Sequence, residues 1–204
     1  DIMTKSNVER IIDNVVLVNG KKLEAGKILV CIGRKPNVNA NELSNIGIKF
    51  DDNGIVVNEK MMTNIENIFA IGDVTGMYEL AHVASKQGEI AAQNLMGAES
   101  KIDYSSVPAC VFTYPEVAFV GKLEGKTGEF PLAASAKASC LGETRGIIKV
   151  FENDGILVGT FIIAPHASEM IAEAALAIKM RLKTQDVFDT IHAHPTLPES
   201  FVDA

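Results

Sequence analysis

The stretch from Asn67 to Gly76, NIFAIGDVTG, decides how the chain is read, because ten residues hold a strand, a turn and the approach to a helix. Ile68 to Ile71 suits a short apolar strand that stops at Gly72-Asp73. Beyond it, Leu80, Val83, Ala84, Ala91, Ala92 and Leu95 recur at helical spacing, and Gly97 is placed to end the helix. A glycine at the carboxyl end of a strand lets a ligand approach the backbone. The following helix start offers unpaired N–H groups, and an aspartate accepts from sugar hydroxyls. Strand, Gly-Asp turn and helix are the grammar of a nucleotide-binding α/β layer. A Gly-Asp pair also makes an ordinary turn, so support has to come from elsewhere in the chain.

Composition bounds the answer. With 204 residues, 47% of them hydrophobic, and a mean hydropathy of +0.16, the chain can bury the core of one large domain or two small ones. A net charge of -7, a pI near 5.1 and no basic run speak against nucleic acid or an anionic membrane as partner. No apolar run approaches membrane-spanning length, and the opening DIMTKSNVER has no signal-peptide pattern, so a cytoplasmic address is expected. Cys31, Cys110 and Cys140 are widely spaced and lack a CxxC pattern, which suggests buried free thiols rather than a disulfide or a zinc site.

Upstream of the opening stretch, VERIIDNVVLV, the turn Asn19-Gly20 and KKLEAGKILVCIG read as two β-rich runs, the second ending in a buried strand, ILVCIG. Gly33, in the IGRKP that follows, permits close approach of the backbone to a ligand or another chain. Asp52-Asn53-Gly54 turns the chain, and IVVN alternates as a strand. After Tyr104 the texture changes. SVPACVFTYPEVAFVG, ASCLGETRGIIKVF and GILVGTFIIAP are consecutive β-rich runs, which favour an antiparallel sheet. Two helices follow: one capped by Ser168 with Met170, Ile171, Ala174, Ala175, Ile178 and Leu182 as its stripe, the other capped by Thr184 with Val187, Phe188 and Ile191. The expected fold is the α/β part of a nucleotide-binding domain plus an α+β interface domain with an antiparallel sheet. The expected divisions are 1–38, 39–104 and 105–204.

The last motif is HAHPTLPES, His192 to Ser200. A residue before proline is pushed out of helical geometry, so His194 projects from a kinked loop. Thr196 and Glu199 fit the T-x-x-E capping box of a new helix, a structural task for Glu199. Alternatively, Glu199 accepts from one ring nitrogen of His194 and leaves the other as a general base near neutral pH. The residues alone leave both readings open. His82, in a first helical turn, and His166, ahead of a helix cap, read as structural.

VLVNGKKLEAGKILVCIGRKPN, TNIENIFAIGDVTG with LAHVASKQGEIAAQNLMG, VPACVFTYPEVAFVG and IHAHPTLPES, in that order, resemble the C-terminal half of the flavin-dependent pyridine nucleotide–disulfide oxidoreductases. The tail is most similar to that of the dihydrolipoyl dehydrogenases. The resemblance implies that Gly72 and Asp73 bind the ribitol side of FAD, that Leu80, Ala81 and His82 lie against the flavin, and that Gly33 sits near NAD. It implies that His194, paired with Glu199, takes the proton of dihydrolipoamide, and that the C-terminal domain forms a homodimer in which this pair completes the partner's site. The lipoyl-bearing component of a 2-oxoacid dehydrogenase or glycine cleavage complex is the implied partner. The family's CxxxxC redox pair and both GxGxxG loops are missing from these 204 residues, so an inactive C-terminal fragment is expected. VGKLEGKTGEF stands where the family has a longer segment with a helix, so a shortened outer layer is expected there.

Overall fold

The computed structural model describes residues 1–204, and the chain divides into two compact units, 1–35 and 36–204. In the first, β1 (Val8–Ile12), β2 (Val15–Val18) and β3 (Lys21–Glu24) form an antiparallel meander. Asn19 and Gly20 join β2 to β3 with φ of 47° and 75°, both positive as the tight hairpin turn requires. The run VERIIDNVVLV is two strands rather than one, because Asp13, at φ 50°, turns the chain back. ILVCIG is not a strand: nothing in this chain pairs with it, and Leu29 and Ile32 are 87% and 92% exposed. A strand apolar on both faces holds only between covering partners.

The second unit begins with α1 (Ala40–Asn45), whose cap Asn39 accepts from the Glu42 N–H, and with a short hairpin of β4 (Phe50–Asp51) and β5 (Gly54–Ile55). IVVN is thus a strand only at Ile55. Ile68 to Ile71 is likewise no strand; Phe69 makes one bridge to Met62, because no further strand of the chain lies alongside. Gly72–Thr75 is a single 3-10 turn, and α2 (Ala81–Leu95) follows. Val83, Gln87, Ile90 and Ala91 form the buried face of α2, with Ile90 and Ala91 packed on the fully buried Met61. Leu95 and Ala92 face out, and Gly97 ends the helix in the left-handed region at φ 87°.

Residues 109–164 build a five-stranded antiparallel sheet of β6 (Ala109–Val111), β7 (Glu116–Gly121), β8 (Lys126–Pro131), β9 (Ile147–Asn153) and β10 (Ile156–Ala164), in the order β6-β7-β10-β9-β8. Alternation along β9 and β10 sends Ile148, Val150 and Ile162 inward. The second half of VGKLEGKTGEF, from Lys126, forms most of the edge strand β8. ASCLG is helical, not extended: α3 (Ala136–Leu141) is capped by the Ser135 hydroxyl and closed by Gly142.

One side of this sheet is covered by α4 (Ala167–Lys179), which buries Ala167, Met170, Ile171, Ala174, Ala177 and Ile178 in the main core. Ser168 lies inside α4 rather than capping it, and its N–H donates to Glu116 Oε2 at 2.9 Å. Leu182 falls beyond the helix end and is 37% exposed. In α5 (Thr184–Phe188) the cap position is Lys183, whose N–H donates to Asp186; Thr184 sits one residue inside and cannot cap. Val187 points to the core, while Phe188 and Ile191 are 62% and 98% exposed, since the helix stops before a second turn can bury them. The chain ends in α6 (Glu199–Val202). Of the three free cysteines only Cys110 is partly buried. Cys31 lies in the unpaired run and Cys140 on the outer side of α3, so the buried-thiol expectation fails for both.

Asp103, just ahead of the sheet, binds Lys179 in the last turn of α4 at 2.6 Å. The Lys179 ammonium and then the Ser105 N–H hold the Asp103 carboxyl at a pKa of about 2. A depressed carboxylate contributes stability above its unfolded value near 4 and loses it as pH falls toward 2. Both side chains are about half exposed, so the pair is worth less than about 1 kcal/mol. Asp103→Asn is therefore expected to lower the denaturation midpoint slightly at pH 7 and not at pH 2, as measured by urea titration at both pH values.

Candidate functional site

HAHPTLPES folds into a loop that closes on itself. Pro195 excludes a continuing helix, and the Thr196 hydroxyl donates back to the Ala193 carbonyl at 2.7 Å. At the start of α6 the two oxygens of Glu199 divide their work. Oε2 accepts from the Thr196 N–H at 2.7 Å, and Oε1 lies 2.8 Å from His194 Nδ1. The carboxylate thus pairs with His194 and braces the loop, but the expected capping box does not form: the Thr196 hydroxyl is turned to Ala193, and α6 starts at Glu199 itself, with Pro198 at the cap position and no side chain capping it. The Thr196 N–H first, and then His194, hold the Glu199 carboxyl below the usual carboxylate range. An acceptor-only carboxylate requires Nδ1 to carry the proton, which leaves Nε2 as the lone-pair nitrogen of a neutral ring. The His194 side chain is 69% exposed, and no hydrogen bond engages Nε2.

His192, two residues earlier, is built differently. Its side chain is 11% exposed and lies between the Thr190 carbonyl, 2.9 Å from Nδ1, and Glu173 Oε1 of α4, 2.7 Å from Nε2.

Gly72 to His82 form a second continuous element. Gly72 is buried at φ +73°, a conformation that side chains with a Cβ rarely adopt, and it opens the 3-10 turn whose second residue is Asp73. Gln87, fully buried on α2, accepts from the Gly72 N–H at 2.6 Å and donates to the Tyr104 hydroxyl at 2.8 Å. Tyr104 stacks on Tyr78 with ring centroids 4.8 Å apart. Leu80 is the cap position of α2, but no side chain caps the helix and no acid lies in its first turn. The first N–H groups at Ala81 and His82 are thus open to an acceptor oxygen. The exposed His82 ring donates through Nε2 to the Pro108 carbonyl at 2.9 Å. Gly33 lies in the 1–35 unit at φ +111°, exposed, with nothing within 4 Å of where a Cβ would stand.

The sequence-predicted residues therefore form one pair, His194 with Glu199, and one turn-and-helix start, Gly72 to His82, with Gly33 by itself in the first unit. Sequence reasoning missed Gln87, Tyr104 and Glu173. Only the first carried a signal: a glutamine at a buried position of an otherwise apolar helical stripe.

Residues 1–88 match the pyridine nucleotide-disulphide oxidoreductase family, and residues 107–204 match the dimerisation domain of that family. The chain is 42% identical over 212 aligned positions to a dihydrolipoyl dehydrogenase of Chlamydia trachomatis, an alignment taking in 98% of this chain and 46% of the relative. Among solved structures it is similar to LpdA from Mycobacterium tuberculosis, at 31% identity and a TM-score of 0.86, over 93% of this chain and 44% of that one. It is also similar to the HOCl-induced flavoprotein disulfide reductase RclA from Escherichia coli, at 27% identity and a TM-score of 0.87, over all of this chain and 51% of that one. The chain spans about half the length of the relatives it matches. With both of its parts matched in order, and with an antiparallel dimerisation sheet following a nucleotide-binding-type part, the chain belongs to the pyridine nucleotide-disulphide oxidoreductases.

Proposed function

We propose that this chain supplies the acid/base pair of a dihydrolipoamide:NAD oxidoreductase, with His194 as the base and Glu199 as the group that orients it. The observation that carries the reading is the 2.8 Å contact between His194 Nδ1 and Glu199 Oε1, on an exposed ring whose Nε2 makes no hydrogen bond. A thiol has an ordinary pKa near 8.5, and only its thiolate attacks a disulfide efficiently, so at neutral pH the dithiol needs a base. His194 Nε2 takes the thiol proton, and the thiolate then attacks a redox disulfide that another part of the protein must contribute. Glu199 keeps the ring in one tautomer and stabilises the imidazolium once the proton has arrived.

The family is FAD- and NAD-dependent, and these residues fit both groups in part. Bound FAD supplies the two-electron relay between the redox disulfide and NAD. Asp73 would hold ribitol hydroxyls beside Gly72, and the uncapped start of α2 at Leu80, Ala81 and His82 would face an acceptor oxygen of the flavin. Gly33 would offer backbone to NAD. A homodimer fits the unpartnered apolar side chains at Leu176, Met180, Phe188 and Ile191, each more than 60% exposed, and the match to a dimerisation domain. The lipoyl-bearing component of a 2-oxoacid dehydrogenase or glycine cleavage complex would present the substrate.

The test is steady-state turnover of the full-length protein with dihydrolipoamide and NAD, compared with glutathione disulfide and a reduced nicotinamide. No oxidation of dihydrolipoamide would remove this reading in favour of another disulfide reductase. Within the same protein, Glu199→Gln is expected to lower kcat about tenfold. A glutamine has one acceptor oxygen where two donors, His194 Nδ1–H and the Thr196 N–H, now find one each. An unchanged kcat would show that the orienting bond does not matter.

A further inference from the structure

The two histidines of the loop stand two residues apart, but their partners impose different protonation. His192 Nδ1 faces the Thr190 carbonyl oxygen and Nε2 faces Glu173 Oε1. A carbonyl oxygen accepts only, and so does an ionised carboxylate. A neutral imidazole has a single N–H, so one of these contacts would set lone pair against lone pair. Placing the extra proton on Glu173 instead would put it on the weaker base, since histidine ordinarily holds its proton to higher pH than glutamate. Burial alone drives the ring toward neutrality. The Thr190 carbonyl and the Glu173 carboxylate outweigh it, with Glu199 adding to them, and the His192 pKa is raised. His194 has one acceptor and one free nitrogen, which a neutral ring satisfies.

We propose that His192 is a standing imidazolium locked to Glu173, and that it acts as a positioning residue that ties the loop carrying His194 to α4. The loop then has two anchors. Its first limb is held by the His192–Glu173 pair, and its second by Leu197 and Phe201, which are 7% and 4% exposed in the core. The charged groups acting on His192 are Glu173 from α4 and, from α6, Glu199, which also faces His194. The charge assignment needs no assumption about the reaction; the part it plays in holding the base in place rests on the function proposed above.

Two measurements on the full-length protein test this. With 15N-labelled histidine at pH 7.5, the resonances assigned to His192 by their loss in His192→Gln are expected to show both ring nitrogens protonated, and Glu173→Gln is expected to abolish that signature. A bare nitrogen on His192 in the unmodified protein overturns the proposal. The second readout is the separate kcat and KM for dihydrolipoamide. His192→Ala cuts the tie to α4 and is expected to lower kcat about tenfold with KM little changed, because the base is no longer held in one place. His192→Gln, which keeps an N–H donor toward Glu173, is expected to recover most of that loss. A kcat that is unchanged in His192→Ala, or lowered equally in both variants, overturns the positioning role. If the unmodified protein fails to oxidise dihydrolipoamide at all, the proposed function falls, and the nitrogen spectrum alone upholds or overturns the His192 assignment.

Discussion

His194→Gln is expected to reduce dihydrolipoamide oxidation by the full-length protein by about 10²- to 10⁴-fold at pH 7, the range of a positioned general base. The substitution is nearly isosteric, and the glutamine amide can still donate to Glu199 Oε1, so the loop, held by the Thr196 N–H on Oε2 and by the Thr196 hydroxyl on the Ala193 carbonyl, should stay folded. What disappears is the ring-nitrogen lone pair that accepts the proton. A second expectation separates loss of a base from loss of structure. As pH rises toward the thiol's own pKa near 8.5, the substrate ionises unaided, and the gap between variant and unmodified protein should narrow severalfold. A damaged loop would keep the gap constant with pH. Turnover within about threefold of normal at pH 7 would remove His194 from the role.

The parts of this arrangement that were legible in the sequence are those whose causes are local. The His194–Glu199 pair follows from five-residue spacing across a proline that forces a loop and a helix start that forces Glu199 back toward it. The Asn19-Gly20 hairpin and the helix ending at Gly97 rest on the left-handed tolerance of the residues concerned. The illegible parts depend on partners distant in sequence. Lys126–Pro131 carries Gly, Pro and charge, and forms a strand only because β9 offers it an edge. ILVCIG and Ile68–Ile71 have the composition of buried strands, but in this chain they lack the neighbours that would make them so. Leu182, Phe188 and Ile191 fit a helical stripe by spacing and still end up exposed, since α4 stops short of Leu182, and α5 ends at Phe188, short of Ile191. Gln87 and Glu173 could not be assigned because each works on a group 15 to 19 residues away.

Gly76→Ala is expected to destabilise the second unit by roughly 2–5 kcal/mol, because two separate penalties fall on one atom. Gly76 lies at φ +63°, where a Cβ costs about 1–2 kcal/mol. The added Cβ would also stand 1.5 Å from the Asn53 carbonyl oxygen and 2.6 Å from its carbon, backbone atoms of the β4–β5 turn that cannot swing aside, and forced overpacking costs a further 1–3 kcal/mol. For a domain of this size the sum corresponds to a fall in Tm of roughly 5–15 °C. Gly142→Ala is the control: its φ of +70° carries the same backbone strain, but nothing lies within 4 Å of the new Cβ, so about 1–2 kcal/mol is expected. The difference between the two variants isolates the contact between the β4–β5 turn and the Gly72–Thr75 turn. That contact fixes the backbone on which Asp73 is carried, from one side, while Gln87 holds the Gly72 N–H from the other. If Asp73 serves the flavin, Gly76→Ala should also release FAD from the full-length protein at temperatures where Gly142→Ala retains it, measured by flavin fluorescence during thermal unfolding. Equal melting of the two variants would mean that the β4–β5 turn yields freely and that the Asp73 turn is held by Gln87 alone.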